Sequence, residues 1–392
     1  MLCLSGLLST QEFNQLKVEL QNIIQLNKQG QFQLTVEDED CHTKIENHLT
    51  EKLGATGKKI HLARSRNDQI LVALRLYSKK QLTEVYSEVL KLSQAFLALA
   101  KKHEFTVMPG YTHMQKAMPS SVGLWAGAFT ESLLDDLQLI EAAFKLNDQN
   151  PLGSAAGFGA PLKINRELTT KLLGFKKVQN NSLYVQNSRG KIELAILSSL
   201  LQVMLDLNKM ATDLLLYSLP ELGFFSLPKQ FCTGSSIMPQ KNNPDVLEIL
   251  RANSGIMQSL FLQCVTVINS LPSGYNRDLQ LTKQPLMQGF ELALASLKAA
   301  EQVVNGLEVN EEKMLAACQP EMLSAEQAMQ LSLKGMPFRD AYQKVAEELP
   351  KETSKQQFLA SIKSKKHAGA PGNLGLEKLG KLIQEKLSSG VF

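Results

Sequence analysis

No proline occurs before Pro109, so the first quarter of the chain lacks the residue that most reliably interrupts a helix. Alternating apolar and polar residues are equally scarce. Only residues 31–36 offer a short candidate strand, which excludes a sheet-based architecture. The five cysteines (Cys3, Cys41, Cys232, Cys264 and Cys318) are odd in number and lack any CxxC or Cys/His spacing. A disulfide framework and a zinc site are therefore excluded, and a reducing compartment is expected. Charge of one sign is not in excess: the net charge is +4 with 20% charged residues, which gives no footprint for nucleic acid. The short basic cluster at 363–366 reads as a solvated helix end. Long apolar runs are missing too. The most apolar stretch, 194–207, is interrupted by Gln202 and Asp206 and is too short to span a bilayer. The apolar start, residues 1–8, has neither a preceding basic segment nor a small-residue cleavage site, so no secretory signal is expected. Together these absences predict a soluble, cytoplasmic protein with no membrane partner.

What is present is helical periodicity. Val85, Val89, Leu92, Phe96 and Leu99 recur at alternating steps of four and three, which predicts a long helix between Ser65 and His103 with a coiled-coil-like seam. Further runs cover about 119–146, 191–219, 244–270 and 285–307. The class is all-α, and 392 residues suffice for two or three domains. The expected division is a helical N-terminal part (1–63), a central long-helix bundle (64–310) and a small helical C-terminal part (311–392). Residues 194–207 are apolar around almost the whole helix, which demands burial on all sides. Packing against copies of the chain would supply it, as would a central place inside one large monomer. Gly/Pro-rich breaks at 150–162, 226–244 and 271–285 separate the helices and are the natural places for chemistry.

One of these breaks, GSSIMPQKNNPD at 234–245, joins a pair of serines to a lysine and a helix start. Asn243 suits a helix cap, Pro244 the first helical position, and Asp245 the positive helix end. Amides, Lys241 and a helix N-terminus together make a receptor for carboxylate. The segment resembles the signature of the fumarase/aspartase superfamily, with Asn242 where lysine is usual.

Two further segments narrow the resemblance. IHLARSRNDQ at 60–69 and LPSGYNRDLQ at 271–280 are similar to segments of argininosuccinate lyases, supported by GYTHMQ at 110–115, PLGSAAG at 151–157 and GMPFRDA at 335–341. The matches run in family order from about residue 37 to 374.

The resemblance implies the fold, a central bundle of long helices of the fumarase/aspartase type. It also implies the reaction, β-elimination of argininosuccinate to arginine and fumarate. That reaction needs a base for a proton beside a carboxylate, groups to hold the resulting aci-carboxylate, and an acid for the departing nitrogen. By the same resemblance Ser235 is the base, supported by Lys241 and the loop amides. His113 is the catalytic histidine, and Glu248 is its carboxylate partner. Asn67, Thr112 and Asn243 would hold the succinyl carboxylates, and Tyr275, Gln280 and Lys283 the arginine half. Arg189 stays outside the set because its neighbours, Asn187, Ser188, Gly190 and Lys191, depart from the commoner acidic version of that segment. A homotetramer with sites shared between subunits is implied as well. No metal, nucleotide or other cofactor is expected. The glycines at 153–159 lack the preceding strand and the GK[ST] ending of a phosphate loop, and close backbone approach to substrate or another subunit is the reading for them.

At the front the chain departs from the family pattern. Members usually carry several tens of further residues with a Gly-Gly-Arg-Phe-like segment and a substrate-contacting serine, whereas this sequence opens at what looks like a later helix, residues 9–25. That serine contact is expected to be missing unless Ser5 or Ser9 substitutes. His61-Leu62-Ala63 also replaces the usual His-Thr-Gly. The competing readings are a non-catalytic structural paralogue and another fumarate-producing lyase such as adenylosuccinate lyase.

Overall fold

The structure, a computed structural model, describes residues 1–388. Five long helices dominate it: Arg66–Lys102, Val122–Asn147, Lys191–Tyr217, Asp245–Ile268 and Lys283–Gly306. Each falls within three residues of a run expected from periodicity, so the all-α class holds. The candidate strand at 31–36 is irregular. The extended structure lies elsewhere, chiefly in an antiparallel hairpin of β1 (Val107–Thr112) and β2 (Gln115–Ser121). Pro119, expected to start a helix, sits in β2, and the helix begins after it at Val122.

The chain divides into two compact units. The first comprises residues 1–81, 143–195 and 264–283. Its front helices are fixed by local chemistry. Ser9 and Glu12 form a reciprocal capping box at the start of Thr10–Lys28, and Asp40 caps Cys41–Leu53 through the Thr43 amide. Leu2, Leu8, Leu16, Ile23 and Leu49 make a local core beneath them. Gly57 is required there: a Cβ would lie 2.2 Å from the Leu49 carbonyl oxygen. Deeper in the unit the buried Arg75 donates to the Asn147 carbonyl, Gln179 Oε1 and Ser188 Oγ.

The second unit comprises residues 82–142, 196–263 and 284 onward. Its core follows the seam read from the sequence, with Val85, Val89 and Leu92 fully buried and Phe96 nearly so. Phe96 stacks on Phe129, and Trp125 meets both rings edge-on while donating to Asp213 at 2.9 Å. A separate cluster of Val107, Met322, Leu323, Phe358 and Ile362 ties the hairpin to the C-terminal helices. Burial of this kind contributes roughly 1.5–3 kcal/mol per large side chain.

The expectation of all-round burial for residues 194–207 meets a limit within one chain. Ile196, Leu197, Leu200 and Val203 are fully buried, but Leu205 is 38% exposed. On Asp245–Ile268, Ile249, Ile256 and Leu262 are 60%, 50% and 61% exposed; Ile249 and Ile256, seven residues apart, share one face of the helix, and Leu262 lies on another. No helix among the described residues is long and apolar enough to cross a membrane.

Candidate active site

In the second unit, residues 234–242 form a loop closed at its base. Thr233 and Asn243 exchange both backbone hydrogen bonds, at 3.0 and 2.8 Å. Asn243 is therefore not spent on capping the helix: its side-chain amide reaches back to the Gly234 carbonyl at 3.4 Å, and the helix begins at Asp245. Within the loop the Ser235 hydroxyl accepts the amides of Ile237 at 3.3 Å and Met238 at 3.1 Å. Two N–H donors on one hydroxyl favour its ionised form. Lys241, exposed, closes a turn through its amide to the Met238 carbonyl at 3.0 Å. Asn242, at the position where the resemblance leads one to expect lysine, hydrogen-bonds the Cys232 thiol, while burial pushes that thiol's pKa up. Glu248 lies exposed in the first turn of the helix that follows.

The hairpin carries Thr112 and His113. Thr112 pairs with Gln115, which leaves His113 and Met114 as a two-residue turn with φ of 51° and 61°. Positive φ at both central positions matches the twist of a tight hairpin but is a strained conformation for residues other than Gly, Asn or Asp. The strain projects the imidazole from the hairpin tip, where it is exposed. Among the described residues, no hydrogen bond or ion pair joins His113 to Glu248 within one chain.

The first unit holds the other candidates. Asn67 lies at the start of Arg66–Lys102, its amide bonded to Ser65 Oγ at 3.3 Å. The 271–280 segment turns through a short 3-10 helix, Arg277–Thr282, directly into the helix beginning at Lys283. This brings Tyr275 and Gln280 together, Gln280 Nε2 donating to the phenolic oxygen at 2.6 Å. Lys283, on the same edge, is held below its ordinary pKa by burial and then by the charge of Arg189.

Two residues outside the expected set shape this unit. Arg189 is 3% exposed, its guanidinium stands over the Tyr275 ring at 4.9 Å, and burial lowers its pKa. Asp68, fully buried, accepts the amides of Ser65, Gly153 and Ala155, each at 2.9 Å. Within the chain the glycine-rich 153–157 amides thus wrap a carboxylate of this unit. Burial raises the Asp68 pKa despite those three donors. The sequence signal for Asp68 was its place beside Asn67. For Arg189 it was a cation placed two residues before Lys191, at the mouth of the most apolar helix. Among the described residues no group of three or more His, Cys, Asp or Glu is placed to hold a metal ion.

Comparison with known proteins gives consistent results. A family model described as lyase matches residues 1–258. The argininosuccinate lyase of Thermotoga neapolitana is 44% identical over 352 residues, covering 90% of this chain and 88% of that protein. That of Sorangium cellulosum is 44% identical over 378 residues, covering 96% and 87%. Among solved structures, EDDS lyase in complex with formate aligns over 100% of this chain and 83% of its own, with a TM-score of 0.79 and 22% identity. A class II fumarase from Schistosoma mansoni aligns over 88% and 77%, with a TM-score of 0.66 and 18% identity. These last two are similar in fold.

Proposed function

The chain belongs to the argininosuccinate lyase family, and from that premise we propose that it eliminates arginine from argininosuccinate to release fumarate, as a step of arginine biosynthesis in the cytoplasm. Beyond membership, the observation that carries the reading is the Ser235 hydroxyl held under two amides of a loop closed at its base. A free hydroxyl is a poor base; donors that stabilise its anion, with Lys241 in the same loop, bring it toward the range needed for proton abstraction.

In this reading Ser235 takes the proton from the carbon beside the succinyl carboxylate, and Lys241 and the loop amides hold the doubly charged aci-carboxylate. The electron pair then forms the fumarate double bond as the carbon–nitrogen bond breaks. The guanidine nitrogen leaves with a proton supplied from His113, directly or through water, and Glu248 sets the imidazole's orientation. Asn67, Thr112 and Asn243 bind the succinyl carboxylates, and Tyr275, Gln280 and Lys283 the arginine half. The reaction calls for no cofactor.

Assembly belongs to the same proposal. The exposed Ile249, Ile256 and Leu262 on Asp245–Ile268, with Leu205 on Lys191–Tyr217, support burial against further copies in a homotetramer whose subunits share sites. The apolar clusters around Leu16 and Leu49 at the front and around Ala328 and Val345 at the rear, each closed within its own part, support the three-part division at residues 63 and 310. The test is direct: purified protein with argininosuccinate should show rising fumarate absorbance, while adenylosuccinate and malate should give none. Sedimentation should show a tetramer, and dilution to monomer should abolish turnover. Fumarate from adenylosuccinate alone would refute the assignment.

A further inference from the structure

Asp40 stands at the head of one helix and beside the start of another, and its two carboxylate oxygens serve different partners. Oδ1 accepts the Thr43 amide at 2.9 Å and so caps Cys41–Leu53. Oδ2 lies 2.7 Å from Arg66 Nη1, the two side chains being 30% and 29% exposed, so water screens the pair only in part. Burial works against the charge on Asp40, but the Thr43 amide and Arg66 outweigh it and hold the carboxyl below its ordinary pKa. Arg66 is the first residue of Arg66–Lys102 and Asp68 the third, which sets them about 200° apart around the helix. Asp40 grips that turn on one side, and the Gly153 and Ala155 amides grip it through Asp68 on nearly the opposite one. Asn67 lies between the two. Its backbone amide goes to Ser65 Oγ at 3.3 Å, and its carboxamide has no hydrogen-bond partner among the described residues.

We propose that Asp40 is a positioning residue for the elimination, anchoring Arg66 so that the neighbouring Asn67 presents its carboxamide to a succinyl carboxylate. The role rests on the reaction and on the Asn67 contact proposed above. In it Asp40 acts through Arg66 rather than on the substrate. A first turn gripped at one flank alone leaves its middle residue freer to move, and that freedom must be surrendered when substrate binds. Asn67 holds the same carboxylate before and during the elimination, so the loss falls on KM rather than on kcat. Glu39 lies 3.7 Å from the same guanidinium nitrogen, but at 80% exposure it is too solvated to replace Asp40.

The experiment is a steady-state fumarate assay on the whole protein with argininosuccinate, run beside thermal melts. Asp40→Asn removes the charge but keeps the cap, since Asn accepts the Thr43 amide as Asp does, so Tm should stay within about 2 °C of wild type. KM should rise about three- to tenfold, with kcat changed less than about twofold. Arg66→Gln should raise KM alike, and the double variant should be no worse than the weaker single variant. Glu39→Gln should leave KM within about twofold of wild type. A wild-type KM in Asp40→Asn overturns the proposal, as does an equal rise in Glu39→Gln. So does full additivity of the Asp40 and Arg66 substitutions, which would route the effect through the charge of Asp40 at Lys283 instead. If Asp40→Asn does not fold, a wild-type KM in Arg66→Gln overturns it equally. A wild type that releases no fumarate refutes the reaction itself, an outcome distinct from all of these.

Discussion

Asp68 and Gly153, 85 residues apart in the sequence, are joined by a 2.9 Å hydrogen bond from the glycine amide to a carboxylate oxygen, and the same oxygen takes the Ala155 amide. One buried side chain thereby fixes both the helix start that carries Asn67 and the glycine-rich turn. Asp68→Asn places an amide nitrogen against at least one of those donors. It should lower stability by about 2–3 kcal/mol, read as a fall in Tm, and raise KM because Asn67 loses its footing. Wild-type Tm and KM in this variant would reject the linkage.

Ser235→Ala removes the acceptor of two loop amides together with the proposed base. Turnover should fall by about 10²- to 10⁴-fold, while argininosuccinate binding, measured calorimetrically, changes by less than roughly tenfold. Turnover near wild type would rule out the base role.

The hairpin turn separates strain from chemistry. Met114→Gly should relieve a left-handed backbone and stabilise the protein by about 1 kcal/mol with kcat little changed. His113→Asn should also tolerate the turn, yet lose about 10²-fold or more in kcat because the imidazole is gone. Paired thermal melts and fumarate assays distinguish the two residues. Equal activity in both variants would show that the tip is structural.

Stability should also depend on pH through one buried carboxyl. Asp136 is 5% exposed with Oδ2 unpartnered, and burial, then Asp206, pushes its pKa from 3.8 up to about 8. The folded chain therefore holds this proton where the unfolded chain has released it. The stabilisation is intact below about pH 4, declines as pH rises, and is gone above about pH 8. Asp136→Asn should flatten that decline and raise Tm relative to wild type at pH 9, with little gain at pH 4. Calorimetric scans across that range check it; parallel curves for the two proteins would show that the decline arises from some other group.

Much of this molecule could be read from residues alone because helix periodicity is local. Val85, Val89, Leu92 and Phe96 announce their burial by spacing. The hairpin could not be read so, since its turn is His113-Met114 rather than the Asn-Gly pair that marks such turns. Motif resemblance located both groups of candidate residues, and the structure brings Tyr275 to Gln280 and Ser235 to its amides. Asp68 and Arg189 were less visible for a physical reason. Their importance lies in burial and in which partners they gain or lack, and neither leaves a mark in local spacing.

The paired backbone bonds between Thr233 and Asn243 have a consequence for how a ligand is gripped. A tether of this kind removes most of the chain's freedom before any guest arrives, so only the few residues at its summit remain to be ordered on capture. Changes of length among Ile237, Met238 and Pro239 should thus be absorbed above the tether, leaving the register of the downstream helix untouched.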